Sequence, residues 1–115
     1  MRILLGFEER YGTHMDAVRT SIRRHRPNSE VRFTTPEALE AEIDRFEPHL
    51  LVCQPPALEN LGSRLLAVVE LSIESSQPSK FRVGERCWEL LNPGIEELMR
   101  VVADVQRLLG NLSAN

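Results

Sequence analysis

Apolar residues recur along this chain in two rhythms, short unbroken runs and wider stripes, and their order predicts strands and helices in turn. Arg2 to Phe7 carries Ile3, Leu4 and Leu5 without a break, the pattern of a parallel strand buried on both faces. Met15, Val18 and Ile22 then recur at helical spacing, with Thr13 placed to cap that helix, Asp16 following in a capping-box arrangement, and Pro27-Asn28 stopping it. Glu30 to Phe33 alternates as a half-exposed strand does. Thr35-Pro36-Glu37 supplies a cap, a proline at the first helical position and an acidic first turn for a second helix, whose buried face is Leu39, Ile43 and Phe46. Pro48 ends it, and Leu50 to Cys53 is again fully apolar.

Two strand-helix-strand units within about fifty residues predict a parallel sheet with right-handed crossovers, which gathers functional groups at the carboxyl ends of its strands. Glu8, Glu9 and Gln54 all fall at that edge. The pattern then changes. Arg64 to Ile73 is predicted as one strand with Val69, Leu71 and Ile73 on one face and Val68, Glu70 and Ser72 on the other, so that one face meets water. Glu74 to Ser79 has the composition of a loop. Phe81 to Trp88 is interrupted by Gly84-Glu85, a pair suited to a two-residue hairpin turn with glycine first. The last helix, from Ile95, carries a seam of Ile95, Leu98, Val102, Val105, Leu109 and Leu112 at spacings of 3, 4, 3, 4 and 3, with Met99, Val101 and Leu108 adding apolar surface beside it. Gly110 is expected to end this helix and leave Leu112 outside.

Length confines these elements to one domain over residues 1–115. A net charge of -3 argues against a general binder of nucleic acid or anionic membranes. The basic cluster Arg19, Arg23, Arg24, His25 and Arg26 sits where positive charge complements a helix end, and no aromatic residues interleave with it to stack bases. No apolar run approaches the roughly 18 residues that span a bilayer, so the cytoplasm is the expected compartment. Cys53 and Cys87 lie in apolar strand-like stretches and are expected as reduced, buried thiols. His14, His25 and His49 lack metal spacing, and neither a nucleophile elbow nor a dinucleotide-binding glycine loop is present, so no cofactor is implied.

In order and position, Ile3-Leu4-Leu5-Gly6-Phe7-Glu8-Glu9, Leu50-Leu51-Val52-Cys53-Gln54 and Cys87-Trp88-Glu89-Leu90-Leu91-Asn92-Pro93 resemble the first, third and last strands of a response-regulator receiver domain. The resemblance implies a three-layer, doubly wound α/β domain of flavodoxin-like type with a mainly parallel five-stranded sheet, here with its fourth helix replaced by a loop and β-hairpin. In that family paired acids hold magnesium, a third-strand aspartate accepts a phosphoryl group and a last-strand lysine senses it. Carried over residue by residue, the acids persist as Glu8 and Glu9, Gln54 stands in place of the aspartate, and Asn92 in place of the lysine. A carboxamide is neutral and non-nucleophilic, so Gln54 cannot form an acyl phosphate. Glu8 and Glu9 remain only weak candidates for a cation, beside the simpler reading of a solvated acidic turn before a helix.

The expected function is therefore a non-catalytic, phosphorylation-independent pseudo-receiver of bacterial type. It would act as a signalling and protein-interaction module through the last strand and helix, on a partner or as a homodimer. The candidate interface is Ile95, Leu98, Met99, Val101, Val102, Val105, Leu108 and Leu109. The alternative expectation is a small-ligand sensor using Glu8, Glu9, Gln54, Asn92 and Tyr11 at the carboxyl edge of the sheet.

Overall fold

The computed structural model describes residues 1–55 and 65–113, with the backbone alone at 112 and 113. Its elements run β1 (Arg2–Gly6), α1 (Gly12–His25), β2 (Glu30–Thr34), α2 (Leu39–Phe46), β3 (Leu50–Cys53), β4 (Ala67–Glu70), β5 (Ser79–Val83), β6 (Arg86–Leu90) and α3 (Ile95–Ser113). Short 3-10 turns at Glu9–Tyr11 and Pro36–Ala38 lead into α1 and α2. Among the described residues no helix is long and apolar enough to cross a membrane.

One six-stranded sheet, in the order β2-β1-β3-β4-β5-β6, runs through the domain. The first four of these strands pair in parallel, β1, β2 and β3 as the two strand-helix-strand units predict. β5 then runs antiparallel to β4, and β6 antiparallel to β5. The expected five strands are thus six, because both arms of the hairpin join the sheet. The last strand does not lie beside the parallel set as the receiver resemblance implies; β5 separates it from β4.

Strand alternation divides the core in two. Ile3, Leu5, Leu50, Val52, Ala67 and Val69 turn to one face and pack with buried residues of α1 and α3. Leu4, Leu51 and Cys53 turn to the other and meet Leu39, Ile43 and Phe46 of α2. Helices thus cover both faces of β1 and β3, which is why these two strands read as unbroken apolar runs. Gly6 suits this packing: a Cβ there would stand 2.8 Å from Leu39 Cδ1 and would displace the Leu39 side chain.

The turn chemistry holds at the hairpin. Gly84 has φ +60° and Glu85 is not among the positive-φ residues, the combination of a glycine-first type II′ turn. No helix lies among the described residues between β4 and β5, in keeping with the expected loss of the fourth helix. Several boundaries differ from expectation. The capping box is not made, since α1 starts at Gly12 out of the 3-10 turn, has no side-chain cap, and Asp16 instead faces Arg19 at 3.7 Å. Thr35 likewise makes no side-chain cap bond, although Pro36 does open the turn before α2. The fourth strand is only Ala67–Glu70, shorter than 64–73, and Arg64 lies outside the described residues. Gly110 does not end α3, which continues to Ser113 because a glycine inside a long helix costs only about 1 kcal/mol. Cys53 is buried but Cys87 is exposed, since it faces away from α3 on an edge strand.

Candidate functional site

At the carboxyl edge of the sheet β1 and β3 end side by side, with Gly6 opposite Cys53. The Gln54 backbone N–H continues their ladder by donating to Gly6 O at 3.1 Å. This fixes the Gln54 side chain beside the chain leaving β1. Its Oε1 accepts the Glu8 backbone N–H at 2.7 Å, and its Nε2 donates to Glu8 Oε1 at 3.0 Å. The second carboxylate oxygen, Glu8 Oε2, takes Arg10 Nε at 2.8 Å. Arg10 also lies over the Tyr11 ring, 4.8 Å from its centroid.

A carboxamide suits this position because it accepts from one neighbour while donating to another. A carboxylate at residue 54 could accept the Glu8 N–H but would set a second negative oxygen against Glu8. Both oxygens of Glu8 are engaged by donors, which leaves the residue poorly suited to a divalent cation. Among the described residues no group of three or more histidine, cysteine, aspartate or glutamate side chains is arranged to hold a metal.

The other expected site residues are not brought to this clamp. Glu9 is exposed and lines a shallow cleft of about 330 Å³ together with Glu8, Asp16, Phe33 and Thr35, a cleft that Gln54 and Asn92 do not border. Asn92 follows β6, three strand positions from β3, a lateral distance of roughly 14 Å. It lies in the left-handed region at φ 46° and lines a cleft of about 590 Å³ between the starts of α1 and α3, with Phe7, Tyr11, His14, Leu71 and Ile95. The four-residue constellation Glu8, Glu9, Gln54 and Asn92 is therefore not one pocket. Tyr11 also borders a cleft of about 430 Å³ lined by Arg10, Gln54, Glu70, Ser72 and Lys80. Sequence reasoning does not single out Arg10; its only signal is a charge two residues beyond Glu8.

The expected interface on α3 is divided by burial. Leu98, Val101, Val102 and Val105 are buried in the core, with Val101 and Val105 wholly inaccessible, so they hold the helix to the sheet and cannot meet a partner. Met99, Leu108 and Leu109 are half-buried and Ile95 is exposed. Trp88 stacks on Phe81 with centroids 5.3 Å apart and borders none of the clefts above, so its fluorescence is not placed to report a ligand in them.

Two groups have shifted acidities. Burial, aided by the Glu70 carboxylate, pushes the Cys53 thiol up to about 12, which keeps it protonated and unreactive at neutral pH. At the amino edge, His49 Nδ1 accepts the Arg2 backbone N–H at 2.9 Å, and partial burial together with the Arg2 charge holds the imidazole below its usual 6.5. No family model, curated protein or solved structure matches this chain.

Proposed function

We propose that this chain is a non-catalytic, phosphorylation-independent pseudo-receiver, a doubly wound flavodoxin-like domain that works in the cytoplasm as a signalling and protein-interaction module. Its contacts, with another protein or with itself, run through β6 and the accessible flanks of α3. The observation that carries this reading is the Gln54 carboxamide, whose two hydrogen bonds to Glu8 occupy the edge where phosphoryl chemistry would need a nucleophile and a free carboxylate. A site tied shut by its own side chains serves the fold rather than turnover. The exposed Leu91 and Ile95 and the half-buried Met99, Leu108 and Leu109 supply apolar surface of the kind that partners cover.

Incubation with acetyl phosphate and magnesium, followed by intact mass, tests this. The expected spectrum is that of the unmodified chain. One phosphoryl group per chain, mapped to the Glu8–Gln54 edge, overturns the reading. A second reading, a small-ligand sensor, draws on the two clefts of about 430 and 590 Å³ that share Tyr11. Melting temperatures unmoved across panels of nucleotides, divalent cations and metabolites would remove it.

A further inference from the structure

We infer that β6 is a self-pairing edge, on which a second copy of this chain docks antiparallel about a twofold axis with Trp88 opposite Trp88. The inference rests on the reading of the chain as an interaction module and names its partner.

The direction of each backbone group follows from hydrogen bonds already in the sheet. Gly84 N–H donates to Leu66 O at 2.8 Å, so the even-numbered residues of β5 bond to β4 and the odd-numbered ones to β6. Val83–Arg86, Phe81–Trp88 and Ser79–Leu90 are then the hydrogen-bonded pairs of the hairpin. Cys87 and Glu89 are left with N–H and C=O groups directed out of the sheet, and no described strand lies beyond β6. The strand contains no proline, and both residues are exposed.

Twofold pairing must set outward residues against outward residues, which restricts the register to steps of two. Centred on Trp88, all five residues of β6 pair: Arg86 with Leu90, Cys87 with Glu89, Trp88 with Trp88. A step one way sets Glu89 against Glu89; a step the other way sets Glu85 against Glu89. Like charges directly opposite are destabilising, so one register survives. In it the two Trp88 residues form a non-hydrogen-bonded pair, the closer kind, with Cα atoms about 4.5 Å apart. Glu89 already lies opposite Lys80 within each copy, and Arg86 is held by Asp104 at 3.2 Å. The half-buried Trp88 and Leu90 line the seam on the face that packs on the core, and Leu108 sits one helical turn beyond Asp104, the partner of Arg86.

The opposite edge, β2, gives the contrast. Glu30 N–H donates to Met1 O at 2.9 Å and Thr34 O accepts Phe7 N–H at 3.1 Å, so Val31 and Phe33 carry the outward groups. Its fully overlapped twofold register sets Arg32 against Arg32. In their fully overlapped registers β2 therefore opposes like charges and β6 does not.

Mass in solution, by size-exclusion chromatography with light scattering, tests the inference on the full chain and on Glu89→Pro. Proline at 89 removes an outward N–H and leaves the hairpin bonds of Trp88 and Leu90 in place. A wild-type dimer and a folded monomeric variant are expected, with the dissociation constant raised roughly a hundredfold. If Glu89→Pro does not fold, mild oxidation of Glu89→Cys decides: the expected product is a covalent dimer joining Cys87 of one copy to the introduced thiol of the other. A monomeric wild type, a dimer indifferent to Glu89→Pro, or a disulfide joining Cys87 to Cys87 overturns the inference. The interaction-module reading survives each of these results, and fails instead on the phosphoryl adduct.

Discussion

β3 and β6 belong to the same sheet, yet every residue of β3 is buried and every residue of β6 keeps some surface in water. The difference lies in how each is reached along the chain. A parallel neighbour requires a crossover, and the two crossovers through α1 and α2 place helices on opposite faces of β1, β2 and β3. The two-residue turn at Gly84-Glu85 brings β6 to its place with no helix at all. The hairpin consequently has one face on α3 and leaves Lys80, Cys87 and Glu89 exposed on the other. At the centre of the sheet coverage follows connectivity, and so does the division of labour: the covered strands β1 and β3 hold the domain together, and the half-covered antiparallel hairpin offers an edge.

Core truncation should separate the two halves most strongly. Leu51→Ala, at a fully buried site between α2 and the sheet, is expected to cost about 3 kcal/mol. Leu90→Ala, half-buried on β6, should cost about 1 kcal/mol in the same urea titration. Equal losses would mean that the hairpin is as deeply built in as the parallel half, and the contrast would collapse.

Two glycines sharpen it further. Gly84→Ala forces a side chain into φ +60° and should cost about 1 kcal/mol through the turn alone. Gly110→Ala, inside α3 with nothing within 4 Å of the new Cβ, should stabilise by up to about 1 kcal/mol. Thermal unfolding of the pair tests whether the hairpin turn is held by conformation and the helix by packing.

The smallest effect is expected at the amino edge, where His49 stays neutral to accept the Arg2 N–H. Its folded pKa lies below the unfolded 6.5, so as pH falls through that value the unfolded chain takes up a proton that the folded chain refuses. The contribution is complete above 6.5 and declines below it. Between about pH 7.5 and about pH 5.5 the wild-type melting temperature should fall further than that of His49→Gln, and parallel curves would remove His49 from the account.

Much of the fold was legible because helical and strand periods register which side of an element is buried. Met15, Val18 and Ile22, like Leu39, Ile43 and Phe46, are buried as their spacing predicts. Gly84 announces its turn because few other residues tolerate that backbone. The site was half legible. Glu8 and Gln54 meet because parallel strands bring their carboxyl ends together, whereas Asn92 lies elsewhere because an antiparallel strand intervenes.

The order and type of the elements, the apolar runs that must be covered on both faces, the hairpin, and the lack of a nucleophile at residue 54 were already written in the amino-acid order. Tertiary packing alone set β5 next to β4, made β6 an edge, brought Arg10 onto Glu8, and turned Leu98, Val102 and Val105 of the α3 seam inward. The physical reason is range. Periodicity and turn chemistry act between residues a few positions apart, whereas strand neighbours and clamp partners such as Glu8 and Gln54 are chosen across 46 positions by which surfaces can be buried together.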